Sequence, residues 1–83
     1  LTGANLRNAI LVGADLSYAV FNHAKLNYAD LTGADLSYAN LYNSYMFGAI
    51  LTDAKNLTKA QIEEAIIDDT TKLPGYLLAE MRN

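Results

Sequence analysis

The side chains able to do chemistry in this 83-residue chain are few and scattered. Asp15, Asp30, Asp35 and Asp53 could supply the carboxylate pairs of general acid–base catalysis or ligands for calcium. His23 is the one imidazole, so neither a histidine-built metal site nor a Ser-His-Asp relay has its parts. Cysteine is absent, which removes disulfides, thiolate zinc sites and cysteine nucleophiles together. Gly-Ala-Asp recurs, but no lysine follows it at P-loop spacing, so phosphate binding has no support. A net charge of −3 argues against direct nucleic-acid binding, which needs Lys and Arg to neutralise phosphates. No apolar run approaches the ~20 residues that span a bilayer, so membrane insertion is not expected. Nothing in these residues calls for a cofactor or forms a catalytic constellation. What remains is aromatic: Tyr18, Tyr28, Tyr38, Tyr42, Tyr45 and Phe47.

The elements that place these residues follow from an internal repeat. The chain holds 13 Leu and 13 Ala. Cut in fives, it reads LTGAN, LRNAI, LVGAD, LSYAV, FNHAK, LNYAD, LTGAD, LSYAN, LYNSY, MFGAI, LTDAK, eleven pentads from Leu1 to Lys55. The first position is Leu except at Phe21 and Met46, and the fourth is Ala except at Ser44. A period of five fits no helix, because each step turns about 500° and scatters the leucines over every face. It fits no straight strand either, because an odd step alternates faces. From each Ala to the next Leu is two residues, so both point inward from one short extended segment. From Leu to the next Ala is three, and that step must turn a corner.

GADLSYA at 13–19 recurs at 33–39, an offset of 20 residues or four pentads. The spacing therefore predicts a four-sided solenoid over residues 1–55, about 2.75 coils and roughly 13 Å high at the usual strand spacing. Its core stacks Leu6, Leu11, Leu16, Phe21, Leu26, Leu31, Leu36, Leu41, Met46 and Leu51.

The run A[DN]Lxx, present as GADLS, YADLT, GADLS and YANLY, resembles the pentapeptide-repeat family. The resemblance covers 55 of the 83 residues. It implies an all-β solenoid, a right-handed quadrilateral parallel β-helix with Leu, Phe and Ala inward. The polar residue before each Leu gives way at Ile10, Val20, Lys25, Tyr45, Ile50 and Lys55.

The frame slips at Asn56, which divides the chain into a repeat domain, 1–55, and a tail, 56–83. Thr58 and Gln61 have capping-box spacing, and Leu57 and Ile62 that of a hydrophobic staple. A helix is predicted from Lys59 to about Ile67, with Ile62, Ala65 and Ile66 on one face. After the breakers Leu73-Pro74-Gly75, a second short helix is expected over 76–82. Thr58, Gln61, Ile62 and Ile66 are the expected cap residues, and such helical tails close the C-terminal end in many proteins of the family. A cap has a physical reason, since an open coil is an edge of unpaired backbone groups. Leu1 begins in repeat phase, so earlier coils are expected in a longer parent protein. A parent gene beginning at Leu1 would refute that.

Residues 20 apart stack in outward columns. Tyr18 and Tyr38 form one, with Ser17 and Ser37 beside it; Asp15, Asp35 and Lys55 form another. Each Asp falls on a convex wall, where solvation or local backbone bonding accounts for it better than catalysis. His23 falls at an outward corner with no second ligand in register. The aromatic columns either support the ladder as cross-strand pairs or form a contact surface.

These readings point to a non-catalytic structural or protein–protein interaction module, a rigid solenoid presenting flat faces to an unidentified protein partner. Ser17, Tyr18, Ser37 and Tyr38 are its candidate face. The tail's Leu77, Leu78 and Met81 either fold back on the first helix or pair in a homodimer. The resemblance implies one alternative, a DNA mimic that binds a type II topoisomerase. Charge opposes it: 13 Å of duplex would carry about eight negatives. Residues 1–55 hold four acids against Arg7, Lys25 and Lys55, a net of −1. A soluble protein is expected, and the resemblance leaves its compartment open: the cytoplasm, or the periplasm or thylakoid lumen if a leader has been removed.

Overall fold

Every pentad makes the same two moves, and the backbone hydrogen bonds show why. In a computed structural model, which describes residues 1–81, the fourth residue of each pentad donates its N–H to the carbonyl of the first. Ala4 N to Leu1 O (2.9 Å) and Ala14 N to Leu11 O (3.1 Å) are examples. The third residue carries φ between +54° and +71° in all eleven pentads, the signature of a type II turn. Glycine suits that position at Gly3, Gly13, Gly33 and Gly48, yet Asn8, Tyr18, His23, Tyr28, Tyr38, Asn43 and Asp53 occupy it elsewhere. The corner between each Leu and the next Ala is this turn.

The fifth residue then pairs with the coil above. Single parallel bridges join Asn5 to Lys25, Ile10 to Asp30, Asp15 to Asp35 and Val20 to Asn40, then Lys25 to Tyr45, Asp30 to Ile50 and Asp35 to Lys55. The constant offset of 20 makes the chain a β-helical solenoid with four pentads per coil. No continuous strand is present among the described residues. Two extended residues between successive turns are too few for more than one bridge per wall, so the short extended segments read from the sequence appear as isolated rungs. Three bonds repeat at each rung, as in Leu6 N to Lys25 O (2.7 Å), Lys25 N to Ala4 O (2.8 Å) and Asn8 N to Asn27 O (3.0 Å).

Inside the coils, Phe21, Leu26, Leu31, Leu36, Leu41, Met46 and Leu51 are fully buried, with the alanines between them. Leu6, Leu11 and Leu16 of the first coil are packed on one side only and are partly buried. Ser44, where the column otherwise has Ala, is also fully buried. Its hydroxyl donates to Leu41 O at 2.8 Å, inside its own turn, so the polar atom is satisfied.

The tail departs from its expected form for a reason the ladder supplies. Helix α1 spans Lys59–Glu64, ending before Ile67. Ile66 is drawn out of it by the coil beneath: Ile66 N donates to Ser44 O (2.8 Å), Met46 N donates to Ile66 O (2.9 Å), and Tyr45 and Ile66 form a bridge. Ile66 therefore does not share a helical face with Ile62; it occupies a rung. Thr58 and Gln61 form the capping box reciprocally, and Ile62 and Leu57 are buried. Beyond α1, Lys72 bridges Ile50, and the Thr71 hydroxyl donates to Met46 O at 2.8 Å. Helix α2 spans Gly75–Met81; Arg82, the end of the helix expected over 76–82, lies outside the described residues. Leu77 is fully buried and Met81 packs against the core, leaving Leu78 exposed. Of the three residues offered for self-association, Leu77 thus belongs to the chain's own interior.

Candidate functional site

Because Tyr18 and Tyr38 occupy the same turn position one coil apart, the 20-residue register sets one ring above the other. Their centroids lie 5.1 Å apart with planes 17° from parallel. They are 71% and 78% exposed. Both backbones are left-handed, with φ 62° and 57°, a conformation that costs an L-residue about 1–2 kcal/mol. Aromatic stacking returns about 0.5–1.5 kcal/mol.

The neighbouring serines face inward to the turn rather than outward. Ser17 donates its N–H (3.1 Å) and hydroxyl (2.6 Å) to Asp15 Oδ1. Ser37 does the same to Asp35 Oδ1 at 3.0 and 2.6 Å, and Asn56 Nδ2 adds a third donor at 3.3 Å. Thr32 serves Asp30 Oδ1 in the same way. The structure thus brings Ser17, Tyr18, Ser37 and Tyr38 to one corner, but the hydroxyls are committed and the surface is carried by the two rings.

These contacts hold the three aspartates below the ordinary carboxyl range. For Asp15 the leading cause is the Ser17 hydroxyl, then the Ser17 N–H, opposed by desolvation and more weakly by Asp35. Thr32 acts likewise on Asp30. Ser37 does so on Asp35, helped by Asn56 and Lys55. A carboxylate so stabilised is a poor proton acceptor, and each is engaged with its own turn instead of with another acid. Among the described residues no group of three metal-ligating side chains comes together, and no helix is long and apolar enough to cross a membrane.

The other aromatics find intramolecular partners. His23 meets the edge of Tyr42 (5.9 Å, 86°), and Tyr45 meets Phe47 (6.5 Å, 70°). Tyr28 lies over Gly48, so closely that a Cβ there would collide with its ring. Gly48 stands third in its pentad like Gly3, Gly13 and Gly33, but its use as a seat for Tyr28 depends on the coil register.

One further feature adjoins the tyrosine face. An open cleft of 890 Å³ runs between Asn22, Tyr38, Asn40 and Tyr42 on the coils and Thr58, Gln61 and Glu64 on the tail. Of these residues, Asn22 has a side-chain oxygen, Oδ1, that is buried with no hydrogen-bond partner among the described residues. Sequence alone gave no signal of the cleft, because it exists only where the tail leaves the repeat.

Comparison with known proteins agrees with this geometry. The family model for pentapeptide repeats matches in eight copies over residues 1–26 and 14–53. A pentapeptide repeat protein from the cyanobacterium Cyanothece 51142 is similar at 33% identity and a TM-score of 0.53, over 88% of this chain and 52% of its own. Another, from Nostoc PCC 7120, is 34% identical over 87% of this chain and 68% of its own, with a TM-score of 0.49. The chain thus spans about half the length of the Cyanothece protein. No curated protein matches it.

Proposed function

This chain belongs to the pentapeptide-repeat family, and on that premise we propose that it is a non-catalytic interaction module that docks a protein partner through the Tyr18–Tyr38 face. Residues 1–55 serve as a right-handed, four-sided rod, and 56–83 as the helical cap that closes its end.

The observation that supports this reading is the cost of the two tyrosines. Gly3 and Gly13 make the same turn with no side chain. Stacking alone would favour glycine at positions 18 and 38, since about 0.5–1.5 kcal/mol for the one pair falls short of two left-handed backbones at about 1–2 kcal/mol each. What the tyrosines add is exposed aromatic area, the material of interface cores. The rigid ladder beneath lowers the entropy cost of presenting it.

The test is a pull-down from source-cell lysate with wild type and Tyr18→Ser/Tyr38→Ser, partners being identified by mass spectrometry. A partner captured by wild type and lost in the double variant, with an unchanged circular dichroism spectrum, supports the face. Identical capture by both proteins assigns the tyrosines to ladder packing and ends the proposal.

A further inference from the structure

The third residue of each pentad stands at a corner of the coil, and the 20-residue register brings equivalent corners together one coil apart. Three corners stack unlike residues or glycines, as Asn8, Tyr28 and Gly48 do. The fourth sets one phenol over another, Tyr18 and Tyr38. Their centroids are 5.1 Å apart with planes 17° from parallel, and both rings are largely open to solvent. The other ring contacts are of a different kind: Tyr42 meets His23, Tyr45 meets Phe47, and Tyr28 lies over Gly48.

Two phenols held in this way are placed for oxidative coupling. A phenol that gives up one electron and its hydroxyl proton becomes a phenoxyl radical, with unpaired spin on the carbons ortho to the oxygen. An isolated exposed tyrosine must meet a second radical by diffusion. Here the second ring is already in contact, so the step is unimolecular and the coil register supplies the proximity. To join, the rings must swing from stacked to edge-bonded, a rotation their exposure allows. The ladder meanwhile keeps the two backbones one rung apart, Tyr18 N donating to Ser37 O at 2.8 Å.

We infer that Tyr18 and Tyr38 are a modification site, at which hydrogen peroxide acting through a peroxidase joins them as dityrosine and staples the first coil to the second. Each phenol gives one electron and its hydroxyl proton. The peroxidase passes both electrons to one peroxide, whose O–O bond breaks and which takes up two protons to leave as two waters. A carbon–carbon bond forms between one ortho carbon of each ring. The hydrogen on each bonded carbon then moves to that ring's oxygen, restoring both phenols. This chemistry goes beyond the docking reading and needs no partner protein on the face.

The test treats the full chain with a peroxidase and hydrogen peroxide, isolates the monomer by gel filtration and maps its tryptic peptides by mass spectrometry. Cleavage after Arg7, Lys25 and Lys55 leaves Tyr18 as the only tyrosine of peptide 8–25 and places Tyr38 in peptide 26–55. The expected product is a monomer with dityrosine fluorescence in which these two peptides are joined, two hydrogens lighter than their sum, with fragmentation locating the bond at Tyr38. Its yield per chain holds on about tenfold dilution, as an intramolecular step requires. The linked monomer melts roughly 10 °C higher, the effect of closing a loop of this length in the unfolded chain of a small domain. Tyr18→Phe and Tyr38→Phe keep the stacked rings yet each reduce the linked monomer to background, while Tyr28→Phe leaves it unchanged. The inference is overturned if no link forms, if links form only between chains, or if peptide 8–25 is joined at a tyrosine other than Tyr38. A linked monomer that melts no higher than the untreated chain removes the staple. The phenylalanine variants keep the aromatic area of the docking face, so failure here leaves that reading standing, and failure of the Tyr18→Ser/Tyr38→Ser pull-down leaves this one.

Discussion

Gln61 carries more of the tail's attachment than its place in a capping box suggests, and replacing it tests how the solenoid end is closed. Its Oε1 accepts from Thr58 N at 2.8 Å, while its Nε2 donates to Leu36 O and Ala39 O, each at 2.9 Å. Gln61→Ala removes these and the longer bond its Oε1 accepts from the Thr58 hydroxyl at 3.2 Å, so with four bonds at about 1 kcal/mol each about 4 kcal/mol is expected. Thr58→Ala, which removes only the cap contact, costs about 1 kcal/mol. The difference, about 3 kcal/mol, belongs to the two carbonyls and to the Thr58 N–H, which Thr58→Ala leaves bonded to Gln61. Gln61→Glu is the sharper probe. It keeps the capping acceptor but turns a carboxylate oxygen toward two carbonyl oxygens, which raises the new group's pKa in the folded state. A raised carboxyl pKa means the folded state holds the proton more tightly, so this variant gains stability relative to wild type as pH falls from 7 to 4. Urea unfolding followed by circular dichroism at both pH values reads the effect. The reasoning fails if Gln61→Glu matches wild type at pH 7, or if its deficit does not shrink at pH 4.

Three further outcomes follow from single contacts. Gly48→Ala costs about 1–2 kcal/mol for its left-handed backbone, plus the packing of the Tyr28 ring it displaces. Gly13→Ala, with open space around it, shows the backbone cost alone, and equal melting shifts for the two would remove the Tyr28 seat. Tyr76→Phe leaves Ala54 O and Leu57 N without their shared hydroxyl and is expected to cost about 1–3 kcal/mol in urea unfolding, with faster hydrogen exchange at Leu57. Asp15, Asp30 and Asp35 titrate below the ordinary aspartate range. Their contribution is therefore present above the unfolded-chain pKa and lost as pH falls through the lowered folded values. Carboxyl NMR titration checks this, and Ser37→Ala should move Asp35 upward.

The coil was legible because its signal is redundant. Eleven pentads repeat the inward Leu and Ala, and GADLSYA at 13 and 33 states the register outright. The rest depends on register between segments that share no pattern. Ile66 looks helical by spacing to Ile62, yet Ser44 and Met46 compete for its backbone and win. Gln61 reads as a cap partner, while its two coil contacts span 22 and 25 residues. Tyr18 and Tyr38 could be placed in one column, but not in left-handed turns with their serines turned away to Asp15 and Asp35.

The same logic governs the end of the repeat. A solenoid that stops must satisfy the donors and acceptors of its final coil or leave them to another chain. This tail satisfies the walls at residues 43–46 and 48–51 with its own backbone and threonines, and it meets Leu36 O and Ala39 O with the Gln61 side chain. Leu57 turns its N–H to the Tyr76 hydroxyl, Thr58 caps α1, and the Gln61 side chain stands where a backbone rung would lie. The closure of the coil thus follows from one departure, at Asn56, from a pattern that eleven pentads otherwise keep, and side chains of the tail carry as much of it as backbone does.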